Sequence, residues 1–206
     1  MATHEENGRY GTLGLIGKFQ PPHKGHERLL DACLRNADRL LVGVGTREHR
    51  DPVRPFDPVE IAQMLETILR PRGAQYRLIE IPDYGHLPEY ADGSRWHEHV
   101  KRTYAGVDAI VTGNPYVRQL LVPDFRIITP DELIGPSDRE PICGSLVRSM
   151  MALNKGWESY IPYSVMLYIH NQGLDERLRQ EFGTELTRSF PVEMETVESE
   201  MRKVRT

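Results

Sequence analysis

The residues with the most chemical promise stand near the start of the chain, in Gly17-Lys18-Phe19-Gln20-Pro21-Pro22-His23-Lys24-Gly25-His26. Two imidazoles three positions apart, the ammonium groups of Lys18 and Lys24, and a glycine that lets a ligand reach the backbone suit the handling of phosphate. The same histidines could instead be exposed surface imidazoles, or a metal pair on one helical turn. A structural zinc would need thiolate or further histidine partners, and none stands at convincing spacing. Far along the chain, Pro141-Ile142-Cys143-Gly144-Ser145-Leu146-Val147-Arg148 sets small residues ahead of a helical pattern, with Ser145 near its start and Arg148 one turn on. That is a second way to cradle phosphate, or simply a capped helix. Two further segments carry polar groups. Gly45-Thr46-Arg47-Glu48-His49-Arg50-Asp51-Pro52-Val53-Arg54 supplies several cations and reads equally as a solvated loop. Thr112-Gly113-Asn114-Pro115 reads as a tight turn, suited to backbone contact with a base or ribose or to nothing more than turning.

The elements that must position these groups alternate. Thr12 to Phe19 reads as a strand, and Glu27 to Ala37 as a helix with Leu29, Leu30, Cys33, Leu34 and Ala37 on one face. Arg39 to Gly45 is a second strand. Asp57, Pro58 and Glu60 then form the N-cap, N1 and N3 positions of a capping box, opening a helix that stops before Pro71. Gln75 to Ile81 is strand, Arg95 to Tyr104 helix, and Val107 to Thr112 and Phe125 to Ile128 are strands four and five. Strands separated by crossovers predict an α/β fold, a doubly wound parallel sheet of five strands with helices on both faces. In such a sheet ligands bind beyond the carboxyl ends of the strands, which is where each polar segment falls. From about residue 145 the pattern is helical only, one helix being opened by Pro162 and closed by Gly173. The expected organisation is a polar extension over 1–11, one domain over 12–183 that includes the helical part, and a charged tail over 184–206, which could be an oligomer contact.

Composition narrows the function classes. Hydrophobic residues make up 39% and charged residues 27%, the balance of a water-soluble globular protein. No apolar run approaches the roughly 20 residues that span a bilayer, and Met1 to Gly11 lacks the apolar core of a secretory signal, so a cytoplasmic protein with no membrane partner is expected. Cys33 and Cys143 are too few for a disulfide framework. A net charge of −4 gives no long-range attraction for nucleic acid, so any anion must be bound locally.

Taken together these motifs resemble the nucleotidyltransferase superfamily with the His-x-Gly-His signature, and within it the archaeal-type nicotinamide-nucleotide adenylyltransferases. The likeness runs from about Leu13 to Leu178 and rests on the Gly17–His26 motif, Arg54-Pro55-Phe56, the Trp96 helix, Thr112-Gly113-Asn114-Pro115 and Gly144-Ser145-Leu146-Val147-Arg148. It implies a Rossmann-like nucleotidyltransferase fold. The implied reaction is attack by a phosphate oxygen of a small acceptor on the α-phosphorus of a nucleoside triphosphate, releasing pyrophosphate. Carried to this sequence, it makes His23, His26, Lys18 and Arg148 catalytic and assigns Gly17, Phe19, Gln20, Gly25, Gly113, Asn114 and Ser145 to the nucleotide. Arg54 and Trp96 are assigned to the acceptor, Trp96 by stacking on a pyridine ring, although a core role would serve that residue as well; His86, in the stretch where the acceptor should sit, is a further acceptor candidate. Magnesium held by phosphates and water is implied as the cofactor, with no protein metal ligands, and a homo-oligomer as the working form.

The sequence departs from that family in four places. Lys18 stands where arginine is usual, the helix after Phe56 lacks an arginine after its glutamate, and Cys143 replaces a hydroxyl side chain. The acceptor stretch from Asp83 to Arg95 matches poorly. On the span of the resemblance, Trp96 and Asn114, adenylyl transfer from ATP to nicotinamide mononucleotide is the leading expectation. Beside it stand a cytidylyl- or adenylyltransferase activating a small phosphate or phosphonate acid, and a non-catalytic nucleotide sensor. Which acceptor is used, and whether ATP or CTP is read, is not written in these motifs.

Overall fold

A computed structural model describes residues 9–47, 49–85, 87–135 and 142–188. In chain order the elements are β1 (Tyr10–Gly17), α1 (Lys24–Asn36), β2 (Ala37–Thr46), α2 (Pro58–Leu69), β3 (Tyr76–Pro82), α3 (Ser94–Thr103), β4 (Ala109–Val111), α4 (Pro115–Leu121), β5 (Ile127–Ile128), α5 (Pro130–Ile134), α6 (Gly144–Leu153) and α7 (Tyr163–Asn171). A last helix, α8, covers 174–188. The chain divides into two compact units. The first holds the residues up to Gly17, Leu29–Arg47 and Gly73–Gly135, and the second holds Lys18–Arg28, Glu48–Arg72 and the residues after Gly135.

The first unit is built on the expected sheet, five parallel strands in the order β3-β2-β1-β4-β5, with helices on both faces. The chain steps outward from β1 to β3 and returns to place β4 on the other side of β1. The switch point is therefore the carboxyl ends of β1 and β4. Leu13 lies opposite Leu40 and Leu15 opposite Val42, so one face is a continuous aliphatic surface. The other face carries Ile16, Leu41, Ile79, Ile81 and Ile110 and is covered by Trp96, Val100 and Tyr104 of the α3 region with Val117 and Leu121 of α4. Tyr104 lies flat over the middle of this face, its hydroxyl donating to the Leu15 carbonyl at 3.0 Å. A Cβ on Gly14 would come within 2.6 Å of its ring, and one on Gly43 would overlap its hydroxyl. The two glycines are what let an aromatic ring sit that close to the strands.

Several boundaries differ by a few residues from the sequence expectation, and two of the differences have a local cause. Ala37, expected at the end of α1, is the first residue of β2. The Arg9 guanidinium donates to Ala37 O at 2.7 Å and Leu34 O at 3.2 Å and pairs with Asp38 at 2.8 Å, capping the helix and starting the strand at once. Thr112-Gly113-Asn114-Pro115 is more than a turn. Asn114 is the N-cap of α4, its side-chain oxygen accepting from the backbone N–H of Tyr116 at 2.9 Å and of Val117 at 3.3 Å, with Pro115 at N1.

The second unit is helical apart from its loops. The capping box read from sequence is present at the start of α2, where the Asp57 N–H donates to Glu60 at 2.9 Å. Ile61, Met64, Leu65, Ile68 and Leu69 give α2 a buried face, and α7 packs beside it with Val165 and Ile169 buried. Tyr168 bonds Gln63, and Thr67 bonds Ser164 at 3.1 Å across the same pair of helices. Two arginines bring α8 to the start of α2. Arg177 binds both Glu60 oxygens, at 2.6 and 2.7 Å, and Arg50 joins Glu181 at 2.9 Å to Asp57 at 2.9 Å. Among the described residues no helix is long and apolar enough to cross a membrane.

Candidate active site

The chain leaves β1 at Gly17 and turns at Phe19, which takes a φ of +52° with its side chain buried. A bulky residue in the left-handed region is held there by its surroundings, and such positions concentrate at ligand sites. The neighbouring Gln20 shows how. Its side-chain Nε2 donates to the Phe56 carbonyl at 2.9 Å while its Oε1 accepts from the Phe56 N–H at 3.1 Å, so one buried amide clasps the backbone of another loop at both ends.

His23 and His26 occupy the N-cap and N3 positions of α1, since the His23 carbonyl accepts from the Glu27 N–H at 3.0 Å. The spacing of the motif is thus the spacing of a capping box. His26 takes the place that a glutamate usually fills, its Nδ1 accepting from the His23 backbone N–H at 3.2 Å. Burial lowers its pKa well below the ordinary histidine value, and the nearby His23 adds to the shift. A neutral imidazole whose Nδ1 accepts must carry its proton on Nε2, so His26 presents an N–H donor. The two rings stack with centroids 3.7 Å apart. Burial, and then the charge of Arg148, lowers His23 to about 4, and its buried Nδ1 has no hydrogen-bond partner among the described residues. Gly25 lies under this ring: a Cβ there would sit 3.1 Å from the His23 imidazole.

Arg148 reaches the same cluster from α6. It is 8% exposed, and its Nη1 donates to the Gln20 carbonyl at 2.7 Å. Gly144 makes that approach possible, because a Cβ would fall 3.0 Å from the Gln20 carbonyl oxygen and 3.2 Å from Nη1. The sequence reading did not place Gly144 among the site residues. Its signal was there: glycine in the first turn of a helix, where alanine would be favoured unless another group needs the space. Ser145 lies beside Cys143, their Oγ and Sγ atoms 3.2 Å apart. Lys18 is exposed at the head of the loop.

Phe19, Gln20, His23, Gly25, His26 and Arg148 thus come together in the second unit. Arg54 belongs to that unit too, but its buried guanidinium turns back on its own loop, 3.8 Å from Asp51. Gly17, Gly113, Asn114 and Trp96 belong to the first. Gly17 ends β1 opposite Val44, and Gly113 abuts Pro130, which a Cβ would approach to 3.3 Å. Asn114 spends its side-chain oxygen on capping α4, and half-buried Trp96 packs on the Ile81–Tyr104 cluster. His86 lies outside the described residues. In the same stretch of sequence the Arg95 guanidinium contacts two rings, 4.3 Å from the centroid of Tyr84 and 4.6 Å from that of Tyr90.

Neutral imidazole N–H groups beside a buried guanidinium can neutralise developing negative charge on phosphate oxygens without first giving up a proton. Residues 15–132 match the cytidylyltransferase-like family. Nicotinamide-nucleotide adenylyltransferase of Methanocorpusculum labreanum is 29% identical over 80% of this chain and 94% of its own. The enzyme of that name from Thermoplasma acidophilum is also 29% identical, over 81% of this chain and 89% of its own. In structure, the chain is similar to a bifunctional NMN adenylyltransferase/ADP ribose pyrophosphatase of Francisella tularensis, crystallised with AMP and an Mn ion, with a TM-score of 0.65 and 19% identity. That likeness covers 84% of this chain and 52% of the other, so it spans about half of the bifunctional protein and concerns the fold. With a match over more than half its length and a parallel sheet of the expected kind, the chain belongs to the cytidylyltransferase-like family of the nucleotidyltransferase superfamily.

Proposed function

We propose that the protein transfers the adenylyl group of ATP to nicotinamide mononucleotide, forming NAD and pyrophosphate. The observation that carries the chemistry is the locked tautomer of His26, an Nε2–H donor in one cluster with Arg148. The names of the relatives carry the choice of substrates. In the step itself a phosphate oxygen of the mononucleotide forms a bond to the α-phosphorus of ATP, and the bond from that phosphorus to the bridging oxygen of the β-phosphate breaks. The nucleophile is already ionised at neutral pH, so no general base is required, and the gain comes from placement and charge. In this reading His26 donates to a non-bridging α-phosphate oxygen, and Arg148 with His23 and Lys18 holds the β- and γ-phosphates. Gly25 and Gly144 leave the room that the His23 ring and the Arg148–Gln20 contact take up.

Among the described residues no three carboxylate, imidazole or thiol groups gather as a metal cage. A donor set of imidazole N–H and guanidinium suits phosphate oxygens, so magnesium would be held by the triphosphate and water rather than by side chains. Bound there, it would neutralise charge on the leaving pyrophosphate.

The test is direct. Purified protein with ATP, magnesium and nicotinamide mononucleotide should form NAD and pyrophosphate in equal amounts. No NAD, with pyrophosphate still released when another acceptor is supplied, would overturn the choice of acceptor. A second reading, activation of a small phosphate or phosphonate acid with CTP or ATP, is favoured by Arg95, a cation held against the Tyr84 and Tyr90 rings in the acceptor stretch that matches the family least. Scoring pyrophosphate release across nucleotides and small acceptors decides between them.

A further inference from the structure

We infer that Arg177, in α8, is a positioning residue for nucleoside triphosphate: it fixes the loop that carries the phosphate-binding groups, acting through two peptide planes and the Gln20 side chain. The inference rests on reading the His23–Arg148 cluster as the triphosphate site, and everything it uses lies within the second unit.

The Arg177 fork makes three bonds. Nη1 and Nη2 donate to the two Glu60 oxygens at 2.6 and 2.7 Å, and Nη2 also donates to the Pro55 carbonyl at 3.0 Å. The Pro55 carbonyl and the Phe56 N–H are opposite edges of one planar peptide, so holding the first orients the second. The Phe56 N–H donates to Gln20 Oε1. The next peptide repeats the pattern. Its Phe56 carbonyl accepts from Gln20 Nε2, while its Asp57 N–H donates to Glu60 Oε2, the oxygen Arg177 holds at 2.7 Å. Gln20 therefore grips two successive peptide planes, one tied to Arg177 directly and the other through Glu60. On its far side the Gln20 carbonyl accepts from Arg148. If these links are cut at Arg177, the Gln20 amide keeps its partners but loses the frame that aims them, and with it the register of Phe19, His23 and Arg148.

A surface ion pair that merely stabilised α8 would behave differently. Arg179 supplies the comparison: it binds Asp175 at 2.9 Å one turn away within α8 and reaches the last turn of α6 at Met151 O, 3.4 Å, without touching Pro55, Phe56 or Gln20. The experiment is calorimetric titration of the full chain with ATP and magnesium, beside thermal melting, for wild type, Arg177→Ala, Arg177→Lys and Arg179→Ala. Arg177→Ala should weaken ATP about tenfold, within the range transmitted through packed networks. Arg177→Lys, which restores a charge but not the fork, should recover part of that loss. Arg179→Ala should lower the melting temperature and leave ATP affinity within about twofold. Equal ATP affinity in wild type and both folded Arg177 variants overturns the inference. So does a loss in Arg179→Ala as large as in the Arg177 variants, which would make the effect one of helix stability. Should Arg177→Ala fail to fold, Arg177→Lys against Arg179→Ala decides by the same criterion. A wild type that does not bind ATP overturns the reading of the phosphate site itself, which is a different failure.

Discussion

At the scale of single residues, the two histidines of the motif differ in their bonds, and so in what their loss should do. His26 has its Nδ1 occupied by the His23 N–H and can only offer Nε2–H outward. A donor aimed at charge that develops in the transition state is worth roughly 10²- to 10³-fold in rate. His26→Ala is expected to lower kcat by about that factor, with the ATP dissociation constant changed less than about threefold. Binding and turnover vanishing together would show that the two functions are not divided in this way. His23 makes a prediction about pH. It titrates near 6.5 in the unfolded chain and at about 4 in the folded one, through burial and then Arg148. Between those values the unfolded state binds more protons. Stability is therefore full above pH 6.5 and falls as the pH drops toward 4, by on the order of 3 kcal/mol for this one group. Urea unfolding of His23→Asn, followed at several pH values, should show a flatter acid limb than wild type over that interval; parallel curves would remove His23 as the cause.

At the scale of elements, α6 depends on a glycine to bring Arg148 in. Gly144→Ala puts a methyl group 3.0 Å from the Gln20 carbonyl oxygen, which is backbone and cannot swing aside. The substitution should weaken ATP binding about tenfold, and the overpacking should cancel the gain in intrinsic helix preference of α6, so that stability does not rise. Among the described residues nothing lies within 4 Å of where a Cβ on Gly183 of α8 would stand, and Gly183→Ala should stabilise by about 0.5–1 kcal/mol in a melting experiment with ATP affinity unchanged. This contrast also shows what was legible in the sequence. The capping box at Asp57–Glu60, the five parallel strands and the His23–His26 and Arg148 motifs were readable, because they depend on local chemistry: a cap, a hydrophobic period, a cation after a strand. The part played by Gly144 and Arg177 depends on which backbone groups meet across more than 100 residues of sequence, and that of Phe56 on a side chain 36 residues away; a backbone carbonyl leaves no mark on residue identity. Asn114 misled for a related reason. Asn-Pro serves a turn and a helix start equally well, and only the two N–H groups it accepts from settle which.

At the scale of the whole molecule, a parallel sheet can carry loops at its carboxyl edge only if the layers behind it are held at a fixed spacing. In the first unit that spacing is set by Tyr104. Its ring fills the room left by Gly14 and Gly43, and its hydroxyl ends on the Leu15 carbonyl, one residue from the aliphatic contacts of the opposite sheet face. Burial pushes the phenol pKa far up, so the group stays a neutral donor at every working pH. Tyr104→Phe keeps the ring and removes one buried hydrogen bond, at a cost of about 1 kcal/mol, or roughly 2–4 °C in melting temperature for a chain of this size. Gly43→Ala, which cannot be accommodated without moving the ring, should cost about 1–3 kcal/mol, as overpacking does. If Tyr104 serves only the sheet, NAD formation per folded molecule should be unchanged in Tyr104→Phe at temperatures well below its melting point. A fall in kcat at full folding would mean instead that the spacing of the sheet layers is felt in the loops that follow β1 and β4.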